Sequence, residues 1–440
     1  MDYTEAVGYL HGLQRLGVKL GLERTQELLR RVGRPDRKCG RIVHITGTSG
    51  KGSVAALVES GLRAAGQRVG LYTSPSLERF TDRFQVDRQD MAEAELAELV
   101  GLLRGHIDQM VADGLEQPTE FEVTTVLGFL YYARHQVDWL VLEVGVGGRY
   151  DATNVIDNPA VTCITNIGLD HTDWLGNTEE QIAWEKAGII KPAVPCVTGT
   201  EHPGALDVIR AEAFSQNAVL AEVARDDYRV DSFGPEGQVV DLLGARGWYR
   251  GVRLPLLGQH QAQNAAIALR VLELCGVKEE AIRAGFATVS WPGRMELLTT
   301  AEGTLLLLDA AHNPAKCRAL AEAIGQYFPG RPVHLVLGAL ADKNVEEMAR
   351  PLLELAEQTW VTTPESPRQL PAERLAEICA QLGFPGARVV PGVAAAVDAA
   401  LTASGPSHLV VITGSFYTVG PARRHLLVAS DKKVVSRGQE

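Results

Sequence analysis

His44-Ile45-Thr46-Gly47-Thr48-Ser49-Gly50-Lys51-Gly52-Ser53 is the stretch that decides the fold. A β-branched run turns through three glycines into a helical pattern, in which Val54, Leu57, Val58, Gly61 and Leu62 follow i, i+3, i+4 spacing and Gly66 is placed to end the helix. Gly47, Gly50 and Gly52 let the backbone approach phosphate oxygens, and Lys51 adds a point charge. The amides and hydroxyls of Thr48, Ser49 and Ser53 sit where a new helix N-terminus faces an anion. The usual G-x-x-x-x-G-K-[ST] pattern is not met in full. Ile45 stands at the first glycine position, and Gly52 separates Lys51 from Ser53. We read the stretch as a variant phosphate-binding loop, because a strand precedes it and a helix follows.

Working outward, short β-branched or Leu-rich runs alternate with amphipathic stretches, the pattern of βαβ units and a mostly parallel sheet. Strands are expected at Arg41–Thr46, Arg68–Tyr72, Trp139–Val144, Ala160–Asn166 and Val194–Thr198, all in one sheet. Polar alternation with glycines marks a short β appendage near 221–257, and a helix is expected at Ala262–Leu274. Breakers at Trp291-Pro292-Gly293-Arg294 precede a second βα series, with strands near Thr304–Leu308, Val333–Leu337, Gln358–Thr362 and Leu409–Thr413. The expected architecture is α/β: a doubly wound, P-loop NTPase-like domain over 1–293 and a smaller Rossmann-like α/β domain over 294–440, with a frayed end at 430–440.

The chain has 440 residues, and 43 Lys+Arg against 54 Asp+Glu give a formal charge of −11. That balance, without a basic stripe, argues against nucleic acid as a partner. Six cysteines, at positions 39, 163, 196, 275, 317 and 379, form no C-x-x-C pair, so neither a disulfide framework nor a zinc-cysteine site is expected. The acidic start Met1-Asp2-Tyr3-Thr4-Glu5 is unlike a signal peptide, and no apolar run approaches the length of a membrane span. The expectation is a cytoplasmic protein with no membrane contact.

Further motifs accompany the loop: Thr73-Ser74-Pro75, the run Leu142 to Asn154 containing Glu143 and Tyr150-Asp151-Ala152, Asn166-Ile167-Gly168-Leu169-Asp170-His171, Glu185-Lys186-Ala187-Gly188-Ile189, Gly258-Gln259-His260-Gln261, Pro292-Gly293-Arg294, and Asp309-Ala310-Ala311-His312-Asn313-Pro314. Taken together and in this order, they resemble the folylpolyglutamate synthase/dihydrofolate synthase family of ATP-dependent muramyl-type amide ligases. The resemblance covers most of the chain. It implies ATP, Mg2+ as two ions, L-glutamate, and a dihydropteroate or reduced folate whose carboxylate becomes an acyl phosphate. A monomer is expected, since two domains of one chain suffice.

Glu143, at the carboxyl end of an apolar strand, suits a cation that prefers hard oxygen donors. The resemblance implies Glu143, Ser74 and His171 as metal ligands, and a carbamylated Lys186 as a further one. On residue chemistry alone, Lys186 reads as a surface i, i+4 partner in a Glu-rich helix, and a lone histidine such as His171 as often satisfies a backbone group. By the same resemblance Asn264 contacts the nucleotide base, Arg294 and Asp309 contact phosphate and ribose, and His312 touches phosphate or amine. Thr119-Glu120-Phe121-Glu122 has capping-box spacing ahead of the helical run Val123–Arg134. The family binds its pterin near that segment, where Phe121 offers a stacking face, and near Tyr150-Asp151-Ala152.

Ser76 and Thr81 depart from the family pattern, which has His and Asn there, so the contacts of that substrate loop do not carry over. Two alternatives stand beside this reading. Another muramyl-type ligase would use a nucleotide-sugar peptide, but the short region before Gly40 leaves no room for a sugar-nucleotide domain. A non-ligating ATP-dependent binding protein would show no substrate-stimulated ADP formation.

Overall fold

The computed structural model describes residues 1–440 except 15–16, 18–20, 429–433 and 437–440. Its largest sheet has eight strands: β1 Arg41–Thr46, β2 Val69–Tyr72, β3 Phe84–Val86, β4 Gln89–Asp90, β5 Trp139–Glu143, β6 Val161–Ile164, β7 Cys196–Thr198 and β8 Leu220–Glu222. They lie in the order β4-β3-β2-β5-β1-β6-β7-β8. Pairing is parallel from β2 through β8 and antiparallel only at β3 and β4. β5 and β6 are buried throughout and β1 from its second residue, as expected of central parallel strands covered on both faces.

This order positions the site. From β1 the chain moves toward β2 on one side, and from β5 it moves toward β6 on the other. Neighbouring strands whose connections diverge open a crevice at their carboxyl ends. Those ends are Thr46, which leads into Gly47, and Glu143.

The helix Lys51–Ala64 leaves the crevice with residues Ser53 to Leu62 all buried. It packs against helices His260–Leu274 and Glu279–Ala287. The contact with the second of these is close because both helices present glycine: a Cβ on Gly285 would lie 2.6 Å from Gly61 Cα. Ser60 Oγ donates to the Gly285 carbonyl at 2.7 Å and pins the crossing.

A three-stranded sheet follows, β9 Tyr228–Gly234, β10 Gly237–Gly244 and β11 Gly247–Leu254, in the order β11-β10-β9. Two-residue links between neighbours make it an antiparallel meander. One boundary differs from the sequence expectation: Ala221 and Glu222 belong to β8, which extends the large sheet by parallel pairing with β7.

The remaining sheet comprises β12 Glu296–Thr300, β13 Leu305–Asp309, β14 Val333–Leu337, β15 Ala356–Val361, β16 Arg388–Val389, β17 Leu409–Thr413 and β18 Val434–Ser436, in the order β16-β15-β14-β17-β13-β12-β18. It is parallel except at β12, which pairs antiparallel with β13 and β18. The expected frayed end at 430–440 holds an edge strand at Val434–Ser436, and its other residues lie outside the described ones. Leu305, Leu307, Leu335, Leu337, Val361 and Val411 build its core with the flanking helices.

By residue contact the chain divides into two compact units. One is Met1–Arg229, Val240–Val252 and His260–Val289, and the other is Val230–Val239, Arg253–Gln259 and Ser290–Glu440. All six cysteines are buried and unpaired. No helix among the described residues is long and apolar enough to cross a membrane.

The Gly61–Gly285 crossing yields a stability test. Gly285→Ala should lower the unfolding free energy by about 1–3 kcal/mol through overpacking, read by urea denaturation. Gly8→Ala, in a helix with open space around it, should instead raise it by roughly 0.5–1 kcal/mol.

Candidate active site

The loop after β1 is held from beneath by the end of β6. The Thr48 amide donates to the Asn166 carbonyl at 3.0 Å, and the Ser49 amide to Asn166 Oδ1 at 2.8 Å. Thr165 Oγ1 donates to the Ser49 carbonyl at 2.6 Å. Gly47 has φ 154° and Gly50 φ 79°, and a Cβ on either would collide with Thr165 Oγ1 or Asn264 Oδ1. These contacts explain why the loop needs glycine there. They also bring Asn264, on helix His260–Leu274, against the loop, with its Nδ2 donating to Gln261 Oε1 at 2.9 Å.

Two lysines meet inside this turn. Lys51 Nζ and Lys186 Nζ each donate to the carbonyl oxygen of Gly47 at 3.0 Å. Lys186 is not the surface residue its Glu-rich helix predicts. It is 3% exposed, on helix Glu179–Ala187. Burial first, and then the charge of Lys51, pull its pKa down to about 7, while Asp170, Asp151 and Glu185 pull the other way.

Glu143 is buried at the end of β5, and its Oε2 accepts from the Ser74 amide at 3.1 Å, which joins two of the expected metal ligands. His171 stands exposed in the left-handed region, φ 52°, ahead of the short helix Thr172–Leu175, and its amide donates to Asp170 Oδ1.

The segments expected to hold the organic substrate are organised by internal bonds. Thr119 and Glu122 form the capping box of helix Glu120–Arg134, and the Glu122 carboxylate also receives Arg24 Nε at 3.0 and 3.2 Å. Glu120 pairs loosely with Arg83 at 3.6 Å. Phe121 is half-buried with its ring against Gly145, the residue two beyond Glu143. Asp151 accepts from the amides of Gly145, Val146 and Thr153 and from Thr153 Oγ1. That hydroxyl in turn accepts from Nε2 of His44, a ring whose burial drives its pKa down to about 3. Asp151 therefore shapes the loop after β5. Ala152 is buried, and Tyr150 is the exposed member of the three.

In the other unit, Asp309 ends β13 and accepts from the amides of Met295 and Ala311, each at 2.8 Å. Burial raises its pKa, against the pull of Arg294. The Arg294 guanidinium lies 4.5 Å from the centre of the Phe416 ring. His312 Nδ1 donates to the Ala310 carbonyl at 2.8 Å, so its Nε2 is left to accept from Lys316 Nζ at 3.2 Å. Burial lowers its pKa to about 3, which keeps the ring neutral.

Sequence reasoning gave no role to Thr165, Asn166, Asp170 or Lys316. Asn166 and Asp170 lie in a motif it had quoted, and Lys316 lies one helical turn beyond His312, so spacing carried a signal for all but Thr165.

Residues 45–272 match the Mur ligase middle domain, and residues 293–416 match the Mur ligase glutamate ligase domain. A Bacillus subtilis dihydrofolate synthase/folylpolyglutamate synthase is 36% identical over 433 residues, which cover 96% of this chain and 99% of that protein. Among solved structures, the Thermotoga maritima folylpolyglutamate synthase superposes with TM-score 0.87 at 35% identity, covering 97% of each chain. The Mycobacterium tuberculosis folylpolyglutamate synthase complexed with ADP gives TM-score 0.86 at 34% identity, covering 98% of this chain and all of that one.

Lys186 makes a stability prediction. Its pKa is about 7 folded against 10.5 for a free side chain, so between those values the unfolded chain binds the extra proton and stability rises with pH. Below pH about 7 the term is flat. Unfolding free energies measured from pH 7 to 10 in bicarbonate-free buffer should rise less steeply in Lys186→Met than in the unaltered chain.

Proposed function

The chain belongs to the Mur ligases, and within them to the folylpolyglutamate synthase/dihydrofolate synthase family; from that premise we propose how its residues perform the reaction. It is an ATP-dependent ligase that joins L-glutamate to folate through an amide bond. The observation that carries our reading is the pair of lysine side chains, Lys51 and Lys186, that meet on the Gly47 carbonyl at the head of a buried helix.

A carboxylate is a poor acyl donor until its oxygen becomes a good leaving group. In our reading a carboxylate oxygen of the folate attacks the γ-phosphorus of ATP, the bond to the β-phosphate oxygen breaks, and ADP leaves. The glutamate amine then attacks the acyl carbon, inorganic phosphate departs with the bonding pair, and the amine proton passes to solvent. Little covalent work falls to the protein. Its part is alignment and charge neutralisation.

Lys51 and the amides from Gly47 to Ser53 receive the phosphates, with Asn264 beside the loop toward the base. In the second unit Arg294 and Asp309 contact the nucleotide. His312, held neutral by burial and by the charge of Lys316, offers its Nε2 lone pair to the amine in exchange for Lys316, whose ammonium is then free to donate to phosphate.

Magnesium belongs at Glu143, Ser74 and His171. A buried carboxylate at a strand end beside a serine fits a hard cation. When bound, it would neutralise phosphate charge. An ammonium coordinates no metal, but an amine with a pKa of about 7 is partly neutral at physiological pH and can add carbon dioxide, forming an N–C bond and releasing a proton. As a carbamate, Lys186 would offer oxygen ligands to a second ion.

Phe121 supplies the stacking face for the pterin, and the capped segment Thr119 to Glu122 and the loop Tyr150 to Ala152 border it. Dihydropteroate and reduced folates share that head group, so we assign both as acceptors, with chain extension by successive glutamates. We place the enzyme in the cytoplasm, a reading supported by its unpaired cysteines, and take it as a monomer.

ADP release with magnesium and L-glutamate, run with dihydropteroate, with tetrahydrofolate and with neither, and followed by mass analysis, tests this assignment. Both acceptors should gain glutamate. Turnover with one alone would narrow the substrate, and acceptor-independent ADP release would overturn the ligase reading. Lys51→Ala and Glu143→Gln should each lower kcat by about 100-fold or more while the fold, read by circular dichroism, stays intact. Stripping bicarbonate should slow the enzyme and leave Lys186→Ala no slower than before.

A further inference from the structure

The C-terminal unit carries a cluster that the ligase reaction does not use. His334 in β14, Glu357 in β15 and His408 just before β17 each place one ligating atom within 4.8 Å of the others, the only such group among the described residues.

Hydrogen bonding fixes the tautomer of His334. Ser404 Oγ gives its hydrogen to the Ala400 carbonyl at 2.7 Å, so at 2.6 Å from His334 Nδ1 it must accept. Nδ1 therefore holds the ring hydrogen and Nε2 a lone pair. The residue is 0% exposed, and Nε2 has no hydrogen-bond partner. A buried acceptor without a donor is unfavourable, and burial disfavours relief by protonation, since it lowers the pKa of the ring.

His408 is set in the complementary way. Its Nδ1 takes the Gly405 amide hydrogen at 3.1 Å, so the neutral ring carries its proton on Nε2 and a lone pair on Nδ1. Coordination through Nδ1 needs no tautomer change, and the metal would take the place of the Gly405 amide and of Ser407 Oγ, 3.3 Å away. Glu357 owes its place to a β-bulge. β14 and β15 pair Val333 with Ala356 and then His334 with Gln358, so Glu357 is the extra residue opposite His334. Bulges re-aim side chains in this manner.

We infer that His334, His408 and Glu357 form a binding site for a zinc-like divalent transition metal, with His334 Nε2, His408 Nδ1 and a Glu357 oxygen as ligands. Two neutral imidazoles and one carboxylate suit zinc and are too poor in oxygen for magnesium or calcium. The Ser404–Ala400 chain behind His334 is the outer support that orients a metal-bound histidine. The site lies at the amino ends of β14, β15 and β17. Asp309 is paired with Thr413 at the carboxyl ends, so the two sites occupy opposite edges of the sheet.

The test uses the full chain, treated with chelator and held in saturating magnesium, titrated with Zn2+ against a chromophoric chelator and with Co2+ by visible absorption. We expect one tight Zn2+ and an intense four-coordinate Co2+ spectrum. Glu357→Gln and His408→Ala, at exposed and half-buried positions, should each weaken Zn2+ binding tenfold or more with ligase activity unchanged. Glu143→Gln should bind it as the unaltered chain does. No zinc binding, or equal binding by the unaltered chain and both variants, would overturn the inference.

Discussion

The carbonyl oxygen of Gly47 accepts from two lysine side chains at once, and the geometry of the first unit follows from what is needed to keep it there. The oxygen points into the turn because Gly47 takes a backbone conformation closed to other residues, with Thr165 packed where a Cβ would be. Asn166 and Thr165, from the neighbouring parallel strand, hold the next two residues by backbone and side-chain bonds. The loop is therefore set by β6 as much as by β1. The adjacency of those strands, with β5 on the other side, brings Glu143 and Lys186 to the same end of the sheet.

The fold was legible where residue patterns have a single physical solution. Buried parallel strands must be short and apolar, which is why β1, β14 and β17 fall on the residues that the sequence marks. The glycine-rich turn admits few structures beyond a strand leading into a helix. Legibility fell at β8, three half-exposed residues whose membership of the large sheet comes from β7 and not from any pattern of their own.

Candidate residues stood out in the sequence when their chemistry was unusual for their place, as with a carboxylate ending the apolar strand of Glu143. The burial of Lys186 did not, because its helix has the charge pattern of a surface helix and burial is a tertiary fact. The helix turns that one lysine inward while Glu179 and Glu180 remain at the entry turn. The capping reading of Thr119 and Glu122 holds alongside any substrate role: one carboxylate caps the helix, pairs with Arg24 and fixes the backbone that presents Phe121.

Lys51 and Lys186 share one carbonyl oxygen, and burial first, then the charge of Lys51, lowers the pKa of Lys186 against the opposing pull of Asp170, Asp151 and Glu185, so a protonated Lys186 carries an unfavourable charge there. Three events relieve it: loss of the Lys186 proton, its conversion to an anion, or arrival of a polyanion beside Lys51. The first makes the amine able to take up carbon dioxide, and the second creates an anion that calls for a cation. The third is the binding of ATP. The burial and repulsion that disfavour a protonated Lys186 thus favour each step by which a metal and a nucleotide would assemble there. The fold can sustain this because the helix that bears Lys51 is buried along ten successive residues and locked by the Gly61–Gly285 crossing, far more contact than one buried charge conflict can unsettle.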